Sequence, residues 1–167
     1  MQITMGMDLL SDIFILCILM LVYVYAGYPV LARLLGGLIR RRVWTAAPGA
    51  HQPAVTVLIA AFNEATHIEA TVRNKLTQDY PPEKLAVIVV SDESDDGTDD
   101  IVTGIGDPRV RLIRQEPRAG KTSALNLAMP EATGEIIVFS DANSLYAPDT
   151  IKNLVAPLAD PKVGYVT

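Results

Sequence analysis

The sequence predicts an α/β domain, a mostly parallel sheet with helices on both faces, preceded by a transmembrane helix. Apolar runs of strand length alternate with helical patterns from Val55 onward, and acids or amides stand where three of those runs end. Upstream, Ile13 to Leu31 contains no charged residue.

A membrane-spanning helix needs about 20 mostly apolar residues. Ile13 to Leu35 supplies them, interrupted only by Gly27, Pro29 and Arg33. A cleaved signal peptide would open on basic residues and close on a small-residue cleavage site. Here Asp8 and Asp12 lie ahead of the apolar run and Arg33, Arg40, Arg41 and Arg42 lie at its end or beyond, which favours an anchor whose trailing side faces the cytoplasm. The expected organisation is a membrane anchor and basic flank over 1–45, a linker over 46–53 rich in proline and small residues, and an α/β domain over 54–167, placed at the cell membrane with the lipid bilayer as a partner.

Within the domain, Val55 to Ala60 is a continuous apolar run, as in a strand covered on both faces. Thr66 with Glu69 three residues later forms a capping-box pattern, and Ile68, Val72 and Leu76 make the apolar stripe of a helix. Tyr80-Pro81-Pro82 stops it. Leu85 to Val90 reads as the second strand, Thr98 to Ile105 as a short helix, and Val110 to Arg114 as the third strand. Gly120 to Met129 is a helix packing through Ala124 and Ala128, Glu135 to Phe139 a fourth strand, Asp149 to Leu158 a helix, and Val163 to Thr167 the start of a fifth strand. The last strand would leave the core unfinished.

Charge narrows the function classes. Residues 43–167 hold ten Lys and Arg against 17 Asp and Glu, a formal charge of −7, which lacks the basic footprint of a nucleic-acid binder. Cys17 is the sole cysteine, and His51 and His67 have no partner at ligand spacing, so zinc chemistry is set aside.

Three strand ends carry the polar residues: Asn63-Glu64, then Ser91-Asp92-Glu93-Ser94-Asp95-Asp96-Gly97-Thr98, then Ser140-Asp141-Ala142-Asn143. That rim of an α/β sheet is where such folds bind ligands. Asp92 can accept from a base N–H or a sugar hydroxyl, whereas Asp95 and Asp96 also suit a solvated turn. Asp99 and Asp100 read as first-turn helix acids. Asp141 and Asn143 are the metal candidates, because alternate residues of an extended segment point the same way. A carboxylate and an amide oxygen suit Mg2+ or Mn2+, with diphosphate oxygens completing the shell.

Two nucleotide motifs fail. No glycine occurs in Ala60-Ala61-Phe62-Asn63-Glu64, which disfavours a dinucleotide fingerprint, and Gly120-Lys121-Thr122 has Gln115 where a P-loop needs its first glycine. Lys121 and Arg118 near a helix start can still meet a phosphate.

In order, Ala60-Ala61-Phe62-Asn63-Glu64, Asp92-Glu93-Ser94-Asp95-Asp96-Gly97-Thr98, Gly120-Lys121-Thr122-Ser123-Ala124-Leu125-Asn126 and Asp141-Ala142-Asn143 resemble the donor-binding half of the membrane-associated, inverting family-two glycosyltransferases. That group includes cellulose, hyaluronan, chitin and poly-N-acetylglucosamine synthases. The resemblance covers Pro53 to Thr167, with Glu93 where the family usually has glycine and Asn143 where it has a second Asp. It implies a GT-A-type, Rossmann-like fold and a nucleotide-sugar donor, expected to be a UDP-sugar, used on a polysaccharide or lipid-linked acceptor. Asn63 and Glu64 would line the nucleotide pocket, Asp92 would bind uracil or ribose, Lys121 would approach the nucleotide or its diphosphate, and Asp141 would support the metal. The family's general base and acceptor-side motifs lie downstream of such segments, so no catalytic base is expected before Thr167 and the chain reads as the donor-binding half. Two rivals remain, a membrane-tethered nucleotide-binding protein without turnover and a nucleotidyltransferase, which would release pyrophosphate.

Overall fold

The computed structural model describes residues 2–38, 43–47 and 49–167, with the side chains of residues 2–8 outside that description. Two compact units emerge, Met1–Arg42 and Val43–Thr167. The basic triplet Arg40–Arg42, on which the expected orientation in a membrane partly rests, and Pro48 of the expected linker lie outside the described residues.

The first unit is helical: α1 (Gln2–Val22), a widened π turn (Tyr23–Gly27) and α2 (Tyr28–Leu38). The widened turn lies just ahead of Pro29, whose ring cannot donate to the preceding turn and crowds it; the amide of Tyr28 reaches back to the Tyr23 carbonyl instead. Leu9–Leu38 is long and apolar enough to cross a membrane, with mean hydropathy 2.4, and none of its most apolar stretch is buried within the protein.

The second unit is a four-stranded sheet in the order β3-β2-β1-β4: β1 (Val55–Ala61), β2 (Leu85–Asp92), β3 (Val110–Gln115) and β4 (Ile136–Asp141). Every pairing is parallel. Between the strands come α3 (Ile68–Leu76), α4 (Thr98–Gly104) and α5 (Lys121–Ala128), and α6 (Thr150–Val155) follows β4. Strand β1 is central, so alternate side chains fill two cores. Val55, Val57, Ile59 and Ala61 pack with Ile68, Val72, Val102, Ile151 and Val155, and Leu58 packs on the other face with Ile88, Val90, Ala124 and Ala128. The small residues of α5 let it lie close to the sheet.

Glycine is required just before β4. A Cβ on Gly134 would stand 2.5 Å from the Thr56 amide nitrogen, while the Gly134 N–H donates to Thr56 Oγ1 at 3.0 Å. The segment ahead of β1 is tied to the same unit: Trp44 N–H donates to Asp160, Ala46 N–H to the Ala156 carbonyl, and Tyr80 Oη to the Pro53 carbonyl at 2.6 Å.

Four local expectations change. Helix α3 starts at Ile68 without a capping box, because the Glu64 carbonyl accepts from His67 and Ile68 and Glu69 pairs with Arg73 at i+4. Val163–Thr167 forms no strand; it makes no ladder with β4, and its end lies across a cavity of about 430 Å³ from that strand. Strands β2 and β4 run on to Asp92 and Asp141, so each acid ends its strand instead of following it. The Asp141–Asn143 segment is a turn, with Ser144 N–H donating to the Asp141 carbonyl at 3.3 Å, because the chain must leave the sheet edge there.

Candidate functional site

The strand order reverses beside β1: the chain steps from β1 outward to β2 and β3, then returns to the opposite side for β4. In open parallel sheets, ligands bind at this reversal, outside the carboxyl ends of the strands. A cleft of about 390 Å³ lies there, lined by Ala60 and Ala61 at the end of β1, Phe62 and Glu64 just after it, Asp92 at the end of β2, Arg118, Gly120 and Lys121 before and at the start of α5, and Asp141, Ala142 and Asn143 at the end of β4 and just after it.

Asp92 is the best-fixed group of the cleft. It is 4% exposed, and its carboxylate accepts from Gln115 Nε2, from the Ala119 N–H at 2.9 Å and from the Gly120 N–H at 2.8 Å. Arg118 Nε stands 3.9 Å away. Burial pushes the Asp92 pKa up, yet the amides of Ala119 and Gly120, the Gln115 side chain and the Arg118 charge together hold it below the usual carboxylate value. Asp92 therefore stays ionised and fastens the 118–120 loop to the sheet. Gly120, with φ of +90°, is the residue type that turns its amide onto the carboxylate without strain.

Arg118 also stacks on Phe62, its guanidinium carbon 3.5 Å from the ring centroid, and the Arg118 backbone N–H donates to the Glu93 carboxylate at 2.6 Å. Glu93 has φ of +60°, a left-handed conformation natural to glycine, which accounts physically for the glycine of the resembling motif. Here the carboxylate's bond to the loop offsets the backbone strain.

The Lys121 ammonium pairs with the Asp141 carboxylate, both side chains being largely exposed. Asp141 and Asn143 face the cleft from the turn, while Ala142 between them is 4% exposed and packs in the core. Among the described residues no cluster of three or more His, Cys, Asp or Glu side chains forms a metal cage. The donor set available is one carboxylate and one amide oxygen, hard ligands that fit Mg2+ or Mn2+ only with oxygens from a bound ligand or water.

The structure thus brings Glu64, Asp92, Lys121, Asp141 and Asn143 to one cleft. Asn63 is turned elsewhere: its side chain donates to Asp95 at 2.8 Å and accepts from the Asp95 N–H at 3.0 Å, while its own N–H donates to Ser94 Oγ. Asp96 performs a similar task, accepting from Thr98 Oγ1, the Ala65 N–H and the Thr98 N–H, bonds that lower its pKa. The acids of this turn are a clasp between the β1 and β2 loops. Gln115, which supports Asp92, and Phe62, which lines the cleft, carry no site signal in the sequence. Gln115 gives no motif signal, and Phe62 reads as the end of an apolar run.

Comparisons with known proteins agree with this geometry. Residues 56–167 match the family model Glycosyl transferase family 2. The chain is 37% identical over 120 residues to the probable glycosyltransferase YdaM of Bacillus subtilis, covering 68% of this chain and 29% of that protein. It is 33% identical over 118 residues to a beta-monoglucosyldiacylglycerol synthase of Trichormus variabilis, covering 68% of this chain and 25% of that protein. Among solved structures, the mannosyltransferase PcManGT of Pyrobaculum calidifontis, in complex with GDP-Man and Mn2+, superposes with a TM-score of 0.74 at 39% identity, over 87% of this chain and 44% of its own. The chain spans less than a third of the length of these two curated relatives. With the strand-end motifs, the GT-A-like sheet and the matched family model in agreement, the chain belongs to glycosyl transferase family 2.

Proposed function

We propose that the cleft at the end of β1 binds a nucleotide-sugar donor and that the chain supplies the donor side of an inverting sugar transfer to a saccharide or lipid-linked acceptor. The carrying observation is that Asp92, Lys121, Asp141 and Asn143, from separate elements, line one cleft at the reversal of the strand order. The mannosyltransferase relative holding GDP-Man and Mn2+ supports the donor class and the cation.

In this reading the face of Phe62, with Arg118 stacked on it, and the ionised Asp92 border the nucleoside end. Lys121 and Arg118 offset charge growing on the departing diphosphate. Asp141 and Asn143 would hold Mg2+ or Mn2+, which when bound supplies further charge stabilisation to that leaving group. Glu64 also faces the cleft, and among the described residues its carboxylate has no hydrogen-bond or ion-pair partner, leaving it free to accept from a ribose or sugar hydroxyl. No acid of the cleft is assigned as general base. Deprotonation of the acceptor belongs to residues outside this set.

The test is calorimetric titration of the detergent-solubilised chain with UDP, GDP and their sugar conjugates, with and without Mn2+. Metal-dependent binding of either nucleotide is expected. Absence of binding to all of them under both conditions would sink the reading, and pyrophosphate release from a nucleoside triphosphate would point to a nucleotidyltransferase instead.

A further inference from the structure

Lys75 on α3 is fully buried, yet among the described residues no carboxylate pairs with it. Its ammonium donates to the Ser144 carbonyl at 2.5 Å, contacts Asn74 Oδ1 at 3.4 Å and lies 3.4 Å from the centroid of the Tyr146 ring. The neighbouring Asn74 closes a two-bond clasp on the backbone of Tyr146, donating to its carbonyl at 3.0 Å and accepting from its N–H at 2.7 Å. Desolvation alone pulls the Lys75 pKa down to about 8.

A buried cation held only by a carbonyl, an amide oxygen and a ring face is a poor stability device, since a well-packed apolar side chain avoids the desolvation cost. Among the described residues, its partners outside its own helix belong to one segment, Ala142–Tyr146, which carries Asn143 and follows Asp141 into the cleft. Ala142 fixes the start of that turn in the core and Asn74 fixes its end. Ser144, between them, is fastened by Lys75.

We propose that Lys75 is a positioning residue that holds the turn after β4 in the shape presenting Asp141 and Asn143 to a divalent cation. The proposal rests on the donor-binding reading above and adds to it a determinant 69 residues earlier in the sequence than the carbonyl it holds, on a helix that does not line the cleft. Lys75 touches neither donor nor metal. Its effect is expected in the coupling between cation and nucleotide, not in nucleotide contact itself.

The experiment measures UDP and GDP affinity of the detergent-solubilised 167-residue chain with and without Mn2+, together with the thermal midpoint. Lys75→Met keeps the aliphatic stem and removes the donor. It is expected to leave the metal-free affinity within about twofold, to reduce the Mn2+ enhancement about tenfold, and to leave the midpoint unchanged or raised. A scaffold role alone predicts a lowered midpoint and equal losses with and without metal, and that result would overturn the assignment, as would an undiminished enhancement. Tyr146→Leu removes the ring face but keeps both backbone bonds, and it should lower the enhancement severalfold while Tyr146→Phe retains it. If Lys75→Met does not fold, this second pair decides. A wild-type chain that binds neither nucleotide refutes the donor reading itself; a wild-type enhancement that every variant shares refutes only the role of Lys75.

Discussion

Gln115 donates its side-chain amide to Asp92, and these two residues are also register partners at the ends of β3 and β2. One strand end thereby braces the carboxylate of the next, and Ser123 of α5 in turn donates to Gln115 Oε1 at 2.9 Å. Asp92→Ala would leave the partly buried bonds from the Ala119 and Gly120 amides without their acceptor, at a cost of about 1–3 kcal/mol. Nucleotide affinity is expected to fall at least tenfold, because the loop carrying Arg118 and Lys121 loses its tether. Urea unfolding and calorimetry measure the two effects.

Lys121→Met should separate binding from stability. The pair with Asp141 is exposed on both sides, so its loss is expected to change stability by less than about 1 kcal/mol. Affinity for a nucleoside diphosphate should drop about tenfold, and the salt dependence of binding should weaken. An equal loss for the free nucleoside would count against a phosphate contact.

Gly134→Ala is expected to destabilise the second unit by about 1–3 kcal/mol, since the new methyl meets Thr56 where β1 and β4 begin to pair. The lone tryptophan, Trp44, belongs to that unit and reports its unfolding by fluorescence.

Stability should respond to pH at both ends of the scale. Asp92, Asp96, Asp107 and Asp160 have lowered pKa values in the folded chain, so the unfolded chain binds more protons as acid is added. Their contribution is complete above the unfolded carboxylate value near 3.8 and is lost as pH falls through the folded values. Lys75 is also lowered, from 10.5 to about 8, so between those limits the unfolded chain again carries the extra proton and stability rises with pH. Tyr80, raised to about 12, opposes this only above about pH 10. Fluorescence-detected urea unfolding should show a rise from pH 8 to 10 in the wild type and a flatter profile in Lys75→Met.

Much of this was legible in the chain. Strands β1 to β4 announce themselves as apolar runs because strands covered on both faces tolerate few polar residues, and the acids at the ends of β2 and β4 stand out against those runs. The pairing of Ala124 and Ala128 marked the helix that sits tight on the sheet. What stayed hidden depends on partners far away in sequence. Thr66 and Glu69 satisfy a local capping pattern, but the Glu64 carbonyl and Arg73 settle the start of α3 differently. No local pattern marks Lys75 as buried, because the segment that closes over it lies 69 residues downstream. Asn63 looked like a ligand contact, yet its amide is engaged with Asp95, 32 residues on.

The central position of β1 fixes one dimension of the cleft. Asp141 is in register with Ala60 on one side, and Asp92 follows Ser91, the partner of Ala61, on the other. The two acids therefore stand two interstrand steps apart across the sheet and two residues apart along it, roughly 12 Å in backbone terms. Backbone ladders, not side chains, set this ruler. Substitutions at the rim can alter what is gripped at either end, but they leave the spacing of the two strand ends as it is.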